Sequence, residues 1–193
     1  MINKKKILIV SSGEKLVPVL KELLPVNEYI VNLSTTIHDA KKKLRNESFY
    51  FSIVQCPIKD EFGVKSSQEI ANTFDIGVLL LVKNDIFDQV TYRLKEDPIL
   101  VLSMPTNRQV LYQGICLMNT LMFQKQKMEN EIRKLRKKIQ DQQKINQAKL
   151  LLIEQYHYSE EKAHHYIEKV AMDHSITKVE VAMSLIEKVK KNE

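Results

Sequence analysis

The chain has 193 residues, 44% of them hydrophobic, which is enough for one domain or two small ones with real cores. Two cysteines, Cys56 and Cys116, are too few for a disulfide framework, and no charged-then-apolar leader opens the sequence, so a cytoplasmic location is expected. No apolar run reaches membrane-spanning length, and the net charge of +6 directs attention to polyanionic partners rather than to a membrane.

Residues 1–123 alternate short apolar runs with amphipathic stretches. The runs KKILIVSS, YIVNLS, FYFSIVQ, IGVLLLV and PILVLSM read as five strands, with HDAKKKL, SSQEIANTF and the stretch from Asn107 onward as helices. Several runs are apolar at consecutive positions, as in strands buried on both faces. The expected fold is α/β, a flavodoxin-like five-stranded parallel sheet.

Across roughly residues 4 to 123 this pattern resembles the receiver domain of bacterial response regulators. The resemblance implies a site at the carboxyl ends of the strands, where acids hold Mg²⁺ and one aspartate takes a phosphoryl group. Here the acidic pair after the first strand is Ser11 and Ser12. Counting back eight residues from Gly63 puts the phosphoacceptor position at Gln55, and a one-residue slip gives Cys56. Val82 stands where a hydroxyl is expected, and Met104, before Pro105, where a lysine is. Neither a glutamine nor a thiol forms an acyl phosphate. The resemblance therefore implies a pseudo-receiver with no cofactor, unmodified by acetyl phosphate or a kinase. Asp60 and Glu61, in the loop after the third strand, read as solvated loop residues.

All five prolines and all four glycines lie at or before Gly114, so the remainder can run as long helices with no flexible linker. Alternating steps of three and four place Met118, Lys125, Ile132, Ile139 and Asn146 at one seam position and Leu121, Met128, Leu135 and Gln142 at the other. Isoleucine facing leucine or methionine favours a parallel two-stranded coil, so residues 124–143 are expected to form a homodimer through Leu121, Met128, Ile132, Leu135 and Ile139. The alternative is one helix packed on its own chain. Residues 125–149 carry nine Lys or Arg against three acids, a density suited to phosphates.

From residue 144 a bundle of three short helices is expected. Ile145, Ala148 and Leu152 stripe the first, with Leu151 and Ile153 widening its apolar face, and the helix gives way around Tyr156 to Tyr158. Ser159 caps the second, which is striped by Ala163, Tyr166, Ile167 and Val170. Ser175 to Thr177 cap the third, where Val179, Ala182, Ile186 and Val189 share a face.

The order and spacing of INQAKLLLIEQYHYSEEKAHHYIEKVAM, followed by TKVEVAMSLI, resemble the ANTAR module, the RNA-binding domain of transcription antitermination regulators, over about residues 143–189. Leu150 replaces the usual glycine after Ala148-Lys149, Gln143 an arginine, and Thr177-Lys178 a basic pair. Together the segments are similar to the AmiR-like response-regulator family. That likeness implies a dimer that binds paired stem-loops in a nascent mRNA leader and prevents terminator formation. It also implies control by docking of a partner, such as a ligand-sensing protein. The implied RNA contacts are Lys144, Gln147, Ala148 and Lys149 on the first bundle helix, and Ala171, Met172, Thr177 and Lys178 where the second meets the third. Arg136, Lys137, Lys138 and His174 are weaker candidates.

Other readings are a DNA-binding regulator, though KVEVAMSLIEKV lacks base-reading Arg, Asn and Gln, and a protein-interaction adaptor. An enzyme is not expected, since no phosphate loop, Cys-His pairing or spaced acid pair appears. Four of the five histidines fall in residues 157–174, but adjacent His164 and His165 diverge by about 100° on a helix, so no metal site is expected.

Overall fold

The computed structural model describes residues 4–13 and 15–190, with the side chains of 189 and 190 excepted. The chain divides into two compact units, Met1–Gln126 and Lys127–Glu193.

In the first unit β1 (Lys5–Val10), α1 (Leu16–Leu23), β2 (Tyr29–Ser34), α2 (Ile37–Asn46), β3 (Phe51–Gln55), α3 (Val64–Phe74), β4 (Gly77–Lys83), α4 (Phe87–Arg93) and β5 (Ile99–Met104) follow in order, and α5 (Arg108–Tyr156) begins. The five strands are parallel in the order β2-β1-β3-β4-β5. All five expected strands are present. Side chains alternate across the sheet. Leu8, Val10, Val54, Leu80 and Val82 therefore enter one core with α2, α3 and α4, while Ile7, Ile9, Ile53, Leu79 and Leu81 enter another with α1 and the start of α5.

Two helices exceed the expectation. In α1, Pro18 occupies the third helical position, where its missing N–H would have had no intrahelical acceptor. In α4 only Val90 is buried, too little to make a stripe in the sequence. Gly114 permits the approach of α5 to the sheet, because a Cβ there would lie 2.6 Å from Leu102 Cδ1. Gly63, at φ 93°, adopts the left-handed conformation that opens α3.

Asp60 has a structural role that the sequence reading did not give it. Its carboxylate accepts from the N–H groups of Ile37 at 3.0 Å and His38 at 3.3 Å, satisfying the amino end of α2 beside the Thr36 cap.

In the second unit, α5 continues to Tyr156 and is followed by α6 (Glu160–Asp173) and α7 (Lys178–Lys190). The turn into α6 passes through His157 at φ 53°, and Ser159 Oγ caps α6 by accepting from Lys162 N at 3.2 Å. Ala148, Leu152, Ala163, Ile167, Ala171, Val181 and Ala182 form a core of small and branched side chains, flanked by Ile145, Ile153, Val170 and Ile186. Val189, expected on this face, lies outside the described side chains. Among the described residues no helix is long and apolar enough to cross a membrane.

Candidate nucleic-acid interface and the strand-end pocket

Of the bundle residues singled out in the sequence, Ala148 has no exposed surface and Ala171 has 7%. Both correct to packing residues. Their small side chains let three helices close on one another, and a buried methyl offers no face to a base. Lys144, Gln147, Lys149, Met172, Thr177 and Lys178 remain at or near the surface.

The cations among these are not bare. Lys149 keeps 15% of its side chain exposed and has Glu160 Oε1 3.1 Å from its Nζ. Lys178 contacts the carboxylate of Glu168, which also lies 3.2 Å from His164 Nε2. The Lys178 hydrogen bond, with the charges of Lys178, His164 and His165, outweighs partial desolvation and holds the Glu168 carboxyl below the usual glutamate range. Lys144 Nζ rests 3.8 Å from Met183 Sδ of α7.

Thr177 closes a reciprocal cap on α7. Its N–H and hydroxyl donate to Glu180 Oε2 at 2.7 and 2.8 Å, and its Oγ1 accepts from Glu180 N at 3.2 Å. The sequence places Glu160 at the amino end of the second bundle helix but does not show its pairing with Lys149, and Glu168 and Glu180 were not singled out. Glu180 was legible as the fourth residue of Thr-x-x-Glu, whereas the other two pairs depend on how separate helices meet.

The basic stretch of α5 differs from the bundle. Among the described residues, Arg136, Lys137 and Lys138 are exposed and carry no carboxylate partner. On the expected seam, Leu121, Met128, Ile132, Leu135 and Ile139 are 47–61% exposed, a stripe of large apolar side chains that stays open among the described residues. Met118 does not belong to that stripe. It is 1% exposed in the core of the first unit. Lys125 is likewise engaged, with Asp75 Oδ1 2.7 Å away. At the far end, Gln142 Nε2 donates to Asn146 Oδ1 at 3.1 Å along the same helix.

At the carboxyl ends of the strands the receiver positions converge on neutral groups. Ser11 Oγ donates to Gln55 Oε1 at 2.5 Å and accepts from Gly13 N at 3.1 Å, while Ser12 Oγ lies 3.5 Å from the carbonyl of Pro57. Mg²⁺ prefers carboxylate oxygens. These described hydroxyl and amide donors do not fit it. Cys56 is buried, and burial, with the charge of Glu61, pushes its thiol up to about 12, so it offers no thiolate. Val82 is fully buried in β4. Gln55 and Met104 open instead into a cleft of about 620 Å³.

The ANTAR domain family matches residues 133–186. No curated protein matches the chain. Among solved structures, a signal receiver domain of an HD domain-containing protein from Pseudomonas fluorescens Pf-5 superposes with TM-score 0.57 at 18% identity, covering 66% of this chain and 96% of that one. A response regulator receiver domain protein from Clostridium thermocellum gives 0.52 at 18%, covering 60% and 94%. A structure of adenylate cyclase from Rhodopirellula baltica gives 0.61 at 16%, covering 68% and 99%. At these identities the likeness is one of fold.

Proposed function

We propose that the chain is an ANTAR-domain regulator with a receiver-like N-terminal domain, and that it binds RNA as a dimer and acts in transcription antitermination. In this reading residues 1–123 receive a signal, 124–143 dimerise and 144–193 bind paired stem-loops of a nascent message, preventing a terminator hairpin. The ANTAR match over residues 133–186 carries the proposal.

Lys144, Gln147, Lys149, Met172 and Lys178 contact RNA, and Arg136, Lys137 and Lys138 hold phosphates further along α5. Met172, 72% exposed, offers an apolar surface for an unstacked loop base. Thr177 shapes the start of α7. Leu121, Met128, Ile132, Leu135 and Ile139 form the seam between two chains. The described chemistry of this chain serves binding, not catalysis.

Control runs through docking of a partner, for example a ligand-sensing protein, because Gln55 stands at the phosphoacceptor position. Intact-mass measurement after acetyl phosphate treatment is expected to show no added phosphoryl group.

The RNA reading is tested by titrating the full-length protein with a looped hairpin, an unstructured single strand and duplex DNA at several salt concentrations. Preferential hairpin binding that weakens with salt is expected. Equal or tighter binding to duplex DNA would overturn it in favour of a DNA-binding regulator, and no binding to any of the three would leave an adaptor.

A further inference from the structure

We propose that the cleft at the strand ends of the receiver-like unit binds a small organic carboxylate with an apolar body. The proposal does not rest on RNA binding. At about 620 Å³ the cleft is of ligand size. It also opens at the carboxyl ends of parallel strands, where open α/β sheets hold ligands.

Its lining divides by chemistry. Leu16 and Val19 of α1, Leu111 of α5 and Met104 at the end of β5 supply apolar walls for a hydrocarbon or aromatic body. The polar groups are suited to an anion. Lys15 and Arg108 both line the cleft, and among the described residues none of its lining is acidic. The loop from β5 adds Thr106 and Asn107, and Asn107 Oδ1 accepts from Val110 N at 2.8 Å, so that the positive end of α5 opens at this wall.

The floor points the same way. With Ser11 Oγ donating to Gln55 Oε1, the amide's other end, Nε2, is a donor. Gly13 keeps the floor open to this amide, because a Cβ there would sit 3.0 Å from Gln55 Oε1. Arg108 has Glu22 Oε2 at 3.4 Å, but both side chains are more than 60% exposed, so a ligand carboxylate displaces a weakly held partner. The groups that make the cleft unsuited to Mg²⁺ therefore make it receptive to a carboxylate.

The test is an NMR titration of the full-length ¹⁵N-labelled protein with benzoate, phenylacetate and hexanoate, alongside benzamide and inorganic phosphate. At least one carboxylate is expected to shift the Gln55 side-chain amide and the Thr106 and Asn107 backbone signals, saturating below about 10 mM, with benzamide about tenfold weaker than benzoate or silent. Arg108→Gln is expected to weaken carboxylate binding about tenfold with an unchanged circular dichroism spectrum. The comparison of acid and amide on the unaltered protein stands even if that variant does not fold. Three results would each overturn the proposal: no carboxylate moves these signals, acid and amide bind equally, or phosphate binds while the carboxylates do not.

Discussion

Lys149 makes the residue-scale question sharp, because any phosphate or base edge that reaches its Nζ must compete with Glu160 at 3.1 Å. If Lys149 contacts RNA, Lys149→Ala lowers hairpin affinity by about 1 to 3 kcal/mol, and Glu160→Gln raises it by removing the competitor. A lysine that only ties α5 to α6 gives neither result, and Glu160→Gln then leaves RNA affinity unchanged. Fluorescence anisotropy on one labelled hairpin distinguishes the two. Lys149 was legible from the Ala-Lys pair of the ANTAR pattern. Its restraint was not, since Glu160 lies on the next helix and its meeting with Lys149 depends on the turn through His157.

Asp39, Asp60, Glu69, Glu168 and Glu180 all hold lowered carboxyls, and two of them, Glu168 and Asp60, tie separate elements together. The Glu168 carboxyl is lowered first by its hydrogen bond from Lys178. At Asp60, partial desolvation pushes upward but is outweighed by the Ile37 and His38 N–H groups, and the result is again a lowered carboxyl. A carboxyl with a lowered folded-state pKa contributes stability that is fully present above the ordinary carboxylate range and is lost as pH falls through the folded value. Urea midpoints are therefore expected to fall with acidification from that range downward. Glu168→Gln and Asp60→Asn should each flatten part of that fall, and unchanged pH profiles in both variants would reject the assignment.

At the scale of elements, helix ends decide what could be read. The five strands announced themselves as short apolar runs, several of them apolar at consecutive positions, but α1 was hidden by Pro18, whose place in the first turn makes it harmless. The short α4, with Val90 as its one buried residue, left no periodic trace. The third bundle helix was legible by its stripe, and the reciprocal bonds of Thr177 and Glu180 fix its start. Thr177→Ala is expected to cost about 0.5–2 kcal/mol of bundle stability through loss of the cap. Thr177→Ser, which keeps the hydroxyl, should restore most of it. If the cap only shapes α7, Thr177→Ser also keeps RNA affinity, whereas a direct Thr177 methyl contact predicts a loss, read in the same anisotropy assay.

The seam of α5 joins the element to the whole molecule. Its heptad pattern was legible, but its beginning was not, because a helix that enters a sheet core uses the same apolar spacing as a coil. Met118 belongs to that core, and Lys125 is tied to Asp75. The surface that remains, Leu121 to Ile139, costs free energy while wet and is covered by a second copy in the proposed dimer. Two bundles in one dimer convert the second of two hairpins on one RNA into an intramolecular partner, so dimerisation should appear as avidity. Replacing two seam residues, Ile132→Asp with Ile139→Asp, places charges on positions already exposed in the single chain, so each unit should keep its fold. Sedimentation is expected to change from dimer to monomer. Affinity for an RNA carrying paired hairpins should then fall by about 10² to 10⁴, while affinity for one isolated hairpin stays within about threefold. A variant that remains dimeric would place the interface elsewhere. Equal losses on the paired and single hairpins would mean that the seam supports the RNA surface itself rather than joining two of them.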